Sequence, residues 1–166
     1  ILNKITKGGL PRKSMTVLLA TTGGGKSLVK CHAAASALMM GKNVVYITME
    51  MAEERISERI DANMMGIRVD EIKDMDKDTY AKRMERITSK TTGKLIVKEY
   101  PTGSAHAGHF RHLLNELKMK RNFKPDIIMI DYLNICASSR IKGAAAANSY
   151  TLVKSIAEEI RGLAME

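Results

Sequence analysis

The stretch Ala20-Thr21-Thr22-Gly23-Gly24-Gly25-Lys26-Ser27 has the composition of a loop that wraps a polyphosphate. Glycines let successive backbone N–H groups curl toward an anion without side-chain clashes, and a helix starting just beyond adds partial positive charge. In such a loop Thr22, Gly23, Gly24, Gly25, Lys26, Ser27 and Leu28 form the nucleotide-binding set. Lys26 reaches the β- and γ-phosphates, and the Ser27 hydroxyl ligates Mg2+. The first position, usually Gly, is Ala20. The competing interpretation is a glycine-rich turn without a ligand, and the flanks argue against it. An apolar run, Met15 to Leu19, precedes the loop and a helix-forming run, Leu28 to Met40, follows it.

A carboxylate supplies the second half of this chemistry. Asp131 ends the apolar run Ile127 to Ile130, as a Walker B carboxylate does, and would hold Mg2+ through its water shell. Taken alone it could be an ordinary strand-end turn residue; paired with an upstream phosphate loop it gains specificity. Hydrolysis also needs a carboxylate to orient or deprotonate water. In many such ATPases a Glu directly follows the Walker B Asp, but here the next residue is Tyr132. Glu50, at the end of the run Asn43 to Met49, becomes the candidate base, with Lys26 as its catalytic partner. Glu53 and Glu54 are rivals that fall inside the following helix, and helix capping is the structural alternative for Glu50. His106, His109 and His112 share helix faces, but no Cys or carboxylate completes a metal set there, so a solvent face is expected.

The elements that must position these groups can be read in order. A strand is expected at Ser14 to Leu19, then the loop, then a helix ended by Gly41 near Met40. Asn43 to Met49 reads as a buried strand. Ala52 to Met65 reads as a helix with Ile56, Ile60 and Met64 on one stripe. A highly charged stretch follows, with a helix at Thr79 to Lys90. Lys94 to Tyr100 is a strand broken by Pro101-Thr102-Gly103, and a helix follows with Phe110, Leu113, Leu114 and Leu117 on its buried face. Asp126 to Asp131 is a strand, residues 134–148 a loop, and Ser149 to Met165 an amphipathic helix. Strands separated by helices imply an α/β fold, a mainly parallel sheet flanked by helices, with ligands at the C-terminal strand ends.

The 166 residues suit one domain, 1–166. The chain begins at Ile1 and stops at Glu166 inside a helical pattern, so both ends read as cuts in a longer protein. Its net charge of +9 makes a polyanionic partner plausible. Five Tyr, two Phe and no Trp do not advertise a base-stacking surface. Twelve Met suggest a core filled partly with flexible side chains. Cys31 and Cys136 form no disulfide framework or metal spacing, which suits a cytoplasmic protein. No apolar run approaches the ~20 residues that span a bilayer, so no membrane partner is expected.

Several stretches together resemble the RecA-like motor domain of DnaB-type hexameric replicative helicases. They are the lead-in from Leu2 to Lys13, the phosphate loop, Tyr46-Ile47-Thr48-Met49-Glu50-Met51, and Ile127-Ile128-Met129-Ile130-Asp131-Tyr132-Leu133. The wording of ITKGGLPRK, GKNVVYITMEMAEE, RIDANM and NSYTLVKSIAEE is similar to that of the T-even-type phage members. The resemblance implies a RecA-like P-loop NTPase core, with ATP or another NTP and Mg2+ as cofactors. It also implies a hexameric ring that translocates on single-stranded DNA and unwinds duplex, located in the host cytoplasm if phage-encoded. Primase and a helicase loader are the family's candidate partners. The Glu at the position of Glu50 is the family's base, and the loop after the Walker B strand faces the channel, making Arg140 and Lys142 candidate DNA contacts. The run Ala144 to Ala147 departs from the polar loop expected there. A sensor and an arginine finger would lie beyond the chain, so the isolated piece is expected to bind nucleotide weakly and turn over slowly. The rival readings are a RecA-like recombinase and a nucleotide-binding switch without motor activity.

Overall fold

The computed structural model describes residues 4, 7–141 and 148–166. Its centre is Val44–Thr48 (β1), buried at every position. Leu95–Glu99 (β2) and Ile127–Asp131 (β3) pair with it on either side, both parallel, in the order β2-β1-β3. A strand flanked by two neighbours and covered on both faces has no solvent side, which is why VVYIT lacks polar alternation.

Helices cover both faces. Lys26–Met39 (α1) and Glu53–Met65 (α2) lie on one, Ala107–Arg121 (α5) and Ser149–Met165 (α6) on the other. Successive strand side chains point to opposite faces. Val44 and Tyr46 therefore pack with Cys31, Ala34 and Leu38 of α1 and with Ile56 and Ile60 of α2. Val45 and Ile47 meet Phe110 and Leu117 of α5 and Ile156 and Ile160 of α6. The small residues of α1 let that helix lie close to the sheet, which brings its first turns to the end of β3.

Two short-range signals shift the expected boundaries. Val69–Lys73 forms a short helix (α3) inside the charged stretch, where the Arg68 N–H donates to Glu71 Oε1 at 3.0 Å. The next helix is Lys77–Thr88 (α4), not Thr79 to Lys90, because Asp76 caps it: its carboxylate accepts from the Thr79 N–H at 2.9 Å. The loop after β3 opens with a 3-10 turn, Leu133–Ile135. At the start of α6, Asn148 Oδ1 accepts from the Thr151 N–H at 3.2 Å, fixing the start at Ser149 as expected.

The first expected strand is corrected. Among the described residues, 14–20 lie outside the sheet, and Leu19 is 91% exposed. An apolar, β-branched run favours extended backbone, but a strand exists only when a neighbour's N–H and C=O groups pair with it. Here the sheet order ends at β3, and Met15 alone of that run packs against the core on the α5–α6 face.

Candidate nucleotide site

The phosphate-loop residues fold as a tight coil ahead of α1. The Gly24 N–H donates to Thr21 O at 3.0 Å, and Gly23 and Gly25 adopt φ of 74° and 81°. Those two angles belong to the left-handed region that favours glycine. Gly24 serves a different need: a Cβ there would sit 3.0 Å from both Ala20 Cβ and Thr21 O. Gly25 also caps α1, with no side-chain cap bond and no acidic residue in the first turn. The helix start thus keeps its partial positive charge uncompensated, the condition for accepting an anion. Lys26 folds back over the loop, its Nζ donating to Ala20 O at 2.9 Å and Thr21 O at 2.8 Å.

At the end of β3, Asp131 is 1% exposed and both of its oxygens are engaged. Oδ1 accepts from Lys30 Nζ, which also donates to Ile130 O at 3.0 Å. Oδ2 accepts from the Tyr46 hydroxyl at 3.0 Å. Burial pushes the Asp131 carboxyl up. Hydrogen bonds from Lys30 and Ser27, the Lys30 charge and the Tyr46 hydroxyl outweigh it, and the carboxyl ends below its usual range. Tyr46 moves the other way, raised by burial and then by the adjacent carboxylate. Ser27 and Asp131, far apart in sequence, thus meet where α1 begins and β3 ends. Their hydroxyl and carboxylate form an all-oxygen donor set that suits a hard cation such as Mg2+.

Glu50 lies at the same sheet edge. Thr48 stands opposite Asp131 in the β1–β3 register, and the Met49 N–H donates to Asp131 O at 2.9 Å. The following bend is pinned by Thr48 Oγ1, which donates to Met51 O at 2.7 Å and accepts from the Met51 N–H at 3.1 Å. Thr102 adds a hydrogen bond to Met49 O at 2.7 Å. Glu50 is exposed on this bend. Capping does not occupy it, since the N-cap of α2 is Ala52. Its rival Glu53 is held elsewhere: Oε1 accepts from the Glu99 N–H at 2.8 Å and lies 3.6 Å from Lys98 Nζ. Glu54 projects from the first turn of α2 and is exposed.

The loop beyond β3 is anchored by a carboxylate that sequence reasoning passed over. Glu159 of α6 is buried and accepts from Ser138 Oγ at 2.6 Å, Ser139 Oγ at 2.7 Å, Ser139 N at 3.1 Å and Ser155 Oγ at 3.3 Å. Burial raises the Glu159 carboxyl, but these donors together pull it down to about 2. Because the folded value is depressed, the stabilisation is present above the ordinary pKa near 4.5 and lost as pH falls toward 2. At neutral pH it is worth on the order of 2–3 kcal/mol. Glu159→Gln should remove that part of the acid sensitivity, so wild-type and variant urea midpoints should differ at pH 7 and converge near pH 2.

Arg140, on the same loop, pairs with Glu158 at 3.4 Å on the surface, a contact that contributes little to stability. Lys142 and the run Ala144 to Ala147 lie outside the described residues. His106 and His109 form the cap of α5: His106 Nδ1 accepts from the Gly108 N–H at 3.0 Å and His109 Nδ1 from the His106 N–H at 3.2 Å.

Sequence reasoning also missed Lys30 and Tyr46. Their signals were present: Lys30 is one helical turn beyond Lys26 on an otherwise small and apolar helix face, and Tyr46 is the one hydroxyl-bearing aromatic in a buried strand. A hollow of about 490 Å³, lined by Asn43, Lys94 and Phe123 among others, opens at the opposite edge, by the N-terminal ends of the strands. Parallel sheets bind ligands at their C-terminal ends, where the glycine loop lies and this hollow does not. Among the described residues no helix is long and apolar enough to cross a membrane.

Comparison with known proteins identifies the family. The family described as "DnaB-like helicase C terminal domain" matches residues 1–166. A DnaB-like replicative helicase of Enterobacteria phage T4 is 54% identical over 169 residues, covering all of this chain and 35% of that protein. The chain thus spans about a third of that relative's length. A solved structure of a DnaB-like replicative helicase, described with its interactions with primase, superposes with a TM-score of 0.70 at 16% identity. That match covers 95% of this chain and 37% of the other, and it establishes the shared RecA-like fold. With a glycine loop at the start of α1 and an acidic strand end beside it, the chain belongs to the DnaB-like helicase C-terminal domain family.

Proposed function

We propose that this domain is the ATP-hydrolysing motor of a replicative DNA helicase, coupling turnover to movement along single-stranded DNA and to duplex unwinding. The observation that carries the reading is the meeting of Ser27 and Asp131 beside the glycine loop, where Lys30 of α1 also reaches Asp131, with Glu50 on the bend after the neighbouring strand β1 at the same edge.

The roles divide by chemistry. Backbone N–H groups from Thr22 to Leu28 and the start of α1 hold the phosphates, and Lys26 exchanges its loop carbonyls for the β- and γ-phosphate oxygens. Ser27 and Asp131 would hold Mg2+, which when bound neutralises charge on those oxygens. Glu50 orients the attacking water and accepts its proton. Exposure of Glu50 leaves it open to the water and to a nucleotide brought against the loop. Arg140, on the loop beyond β3, and Lys142, two positions on in the sequence, contact the DNA backbone, and the six-membered ring gives that loop a channel to line. Primase is a candidate partner of the whole protein, in keeping with the primase interactions described for the solved relative.

The test is strand displacement on a forked duplex by the full-length protein. ATP-dependent unwinding, with closed rings in electron micrographs, is the expected result. Open filaments that pair strands without unwinding them would favour a recombinase instead.

A further inference from the structure

Asp131 is the most enclosed charge of the site, and a buried carboxylate must be compensated. The compensation comes from within the chain. Lys30, one turn along α1 from Lys26, brings its ammonium to Asp131 Oδ1 and to Ile130 O at 3.0 Å, and its side chain is 13% exposed. Two lysines on one helix face thus serve different partners: Lys26 the loop carbonyls, Lys30 the carboxylate expected to serve a metal. With Tyr46 on Oδ2, neither carboxylate oxygen is unengaged.

We propose that Lys30 is an internal counter-cation for Asp131 that competes with the Mg2+ of a bound nucleotide, so that it raises the metal concentration needed for tight nucleotide binding. This inference rests on the proposed nucleotide site. Two cations facing one carboxylate repel each other, and Lys30, on a flexible four-carbon stem, is the partner that can withdraw. It keeps the metal-free site neutral and ordered and penalises metal entry. Because linkage is reciprocal, removing Lys30 must strengthen the metal's effect on nucleotide binding by the same factor with which the metal weakens the Lys30 contact.

The experiment measures the affinity of a fluorescent ADP analogue for the full-length protein in EDTA and across a Mg2+ series, without turnover. Lys30→Met should lower the Mg2+ concentration at half-maximal tightening by about tenfold, within the usual range of such couplings. Lys30→Gln retains a donor to Asp131 but no charge; it carries the same expectation if Lys30→Met folds poorly. Lys30→Arg, which keeps the charge, should stay near wild type. Unchanged or weakened Mg2+ dependence in a folded uncharged variant would overturn the proposal, the weakened case making Lys30 a support for the metal site. The binding seen in EDTA reads the phosphate loop separately. If the wild-type protein binds no nucleotide in either condition, the site reading fails and the inference falls with it.

Discussion

Lys26→Ala is expected to weaken nucleotide binding by about a hundredfold or more, the scale of losing charge-assisted hydrogen bonds to a polyphosphate. The fold should survive. Among the described residues Lys26 Nζ bonds to carbonyls of its own exposed loop, Ala20 and Thr21, and to no group of the sheet. Titration with a fluorescent nucleotide analogue, alongside far-UV circular dichroism, separates the two effects. Retained affinity in the folded variant would show that the loop's backbone alone holds the ligand, or that the ligand sits elsewhere.

The second large effect is expected at Glu50. Glu50→Gln preserves size and removes the basic lone pair, so ATP turnover should fall by about 10²–10⁴ while nucleotide affinity stays near wild type. Neighbouring contacts support this separation: the bend that carries Glu50 is fixed by Thr48 and Thr102 through backbone atoms, not through the Glu50 side chain. Pre-steady-state measurement of phosphate release on the full-length protein gives the reading. Normal turnover would move the base to another carboxylate. Glu53 is a poor alternative, since it is occupied by Glu99 and Lys98 at the end of β2.

Much of this site is legible in the sequence because its signals are local. The glycine loop, its lysine and serine, and an acidic residue closing an apolar run each declare themselves within a few residues. Parallel pairing then dictates that Glu50 and Asp131 share an edge, as the register Thr48 to Asp131 shows. The longer helices are legible from their spacing, whereas the five-residue α3 is hidden in its charged stretch and α4 starts two residues before the expected Thr79 because Asp76 caps it.

What escaped has one physical cause: it depends on pairs far apart in the chain. Lys30 reads as an ordinary helix lysine until β3 comes beside α1, and Tyr46 as a core aromatic until its hydroxyl meets Asp131. Glu159 is one of two adjacent glutamates on an amphipathic helix. Only the packing of the loop after β3 decides that Glu159 turns inward to the serines while Glu158 pairs with Arg140 at the surface. The converse failure, the strand expected at Ser14 to Leu19, shares that cause. Apolar composition specifies extended backbone, and a hydrogen-bonding neighbour is needed to make it a strand.

The proposed motor couples a nucleotide-hydrolysing site to DNA. That coupling is tested most directly by the ATPase rate of the full-length protein with and without single-stranded DNA. Marked stimulation by the DNA, lost in Glu50→Gln, is the expected result. A basal rate that single-stranded DNA leaves unchanged would contradict the motor reading and favour a nucleotide-binding switch.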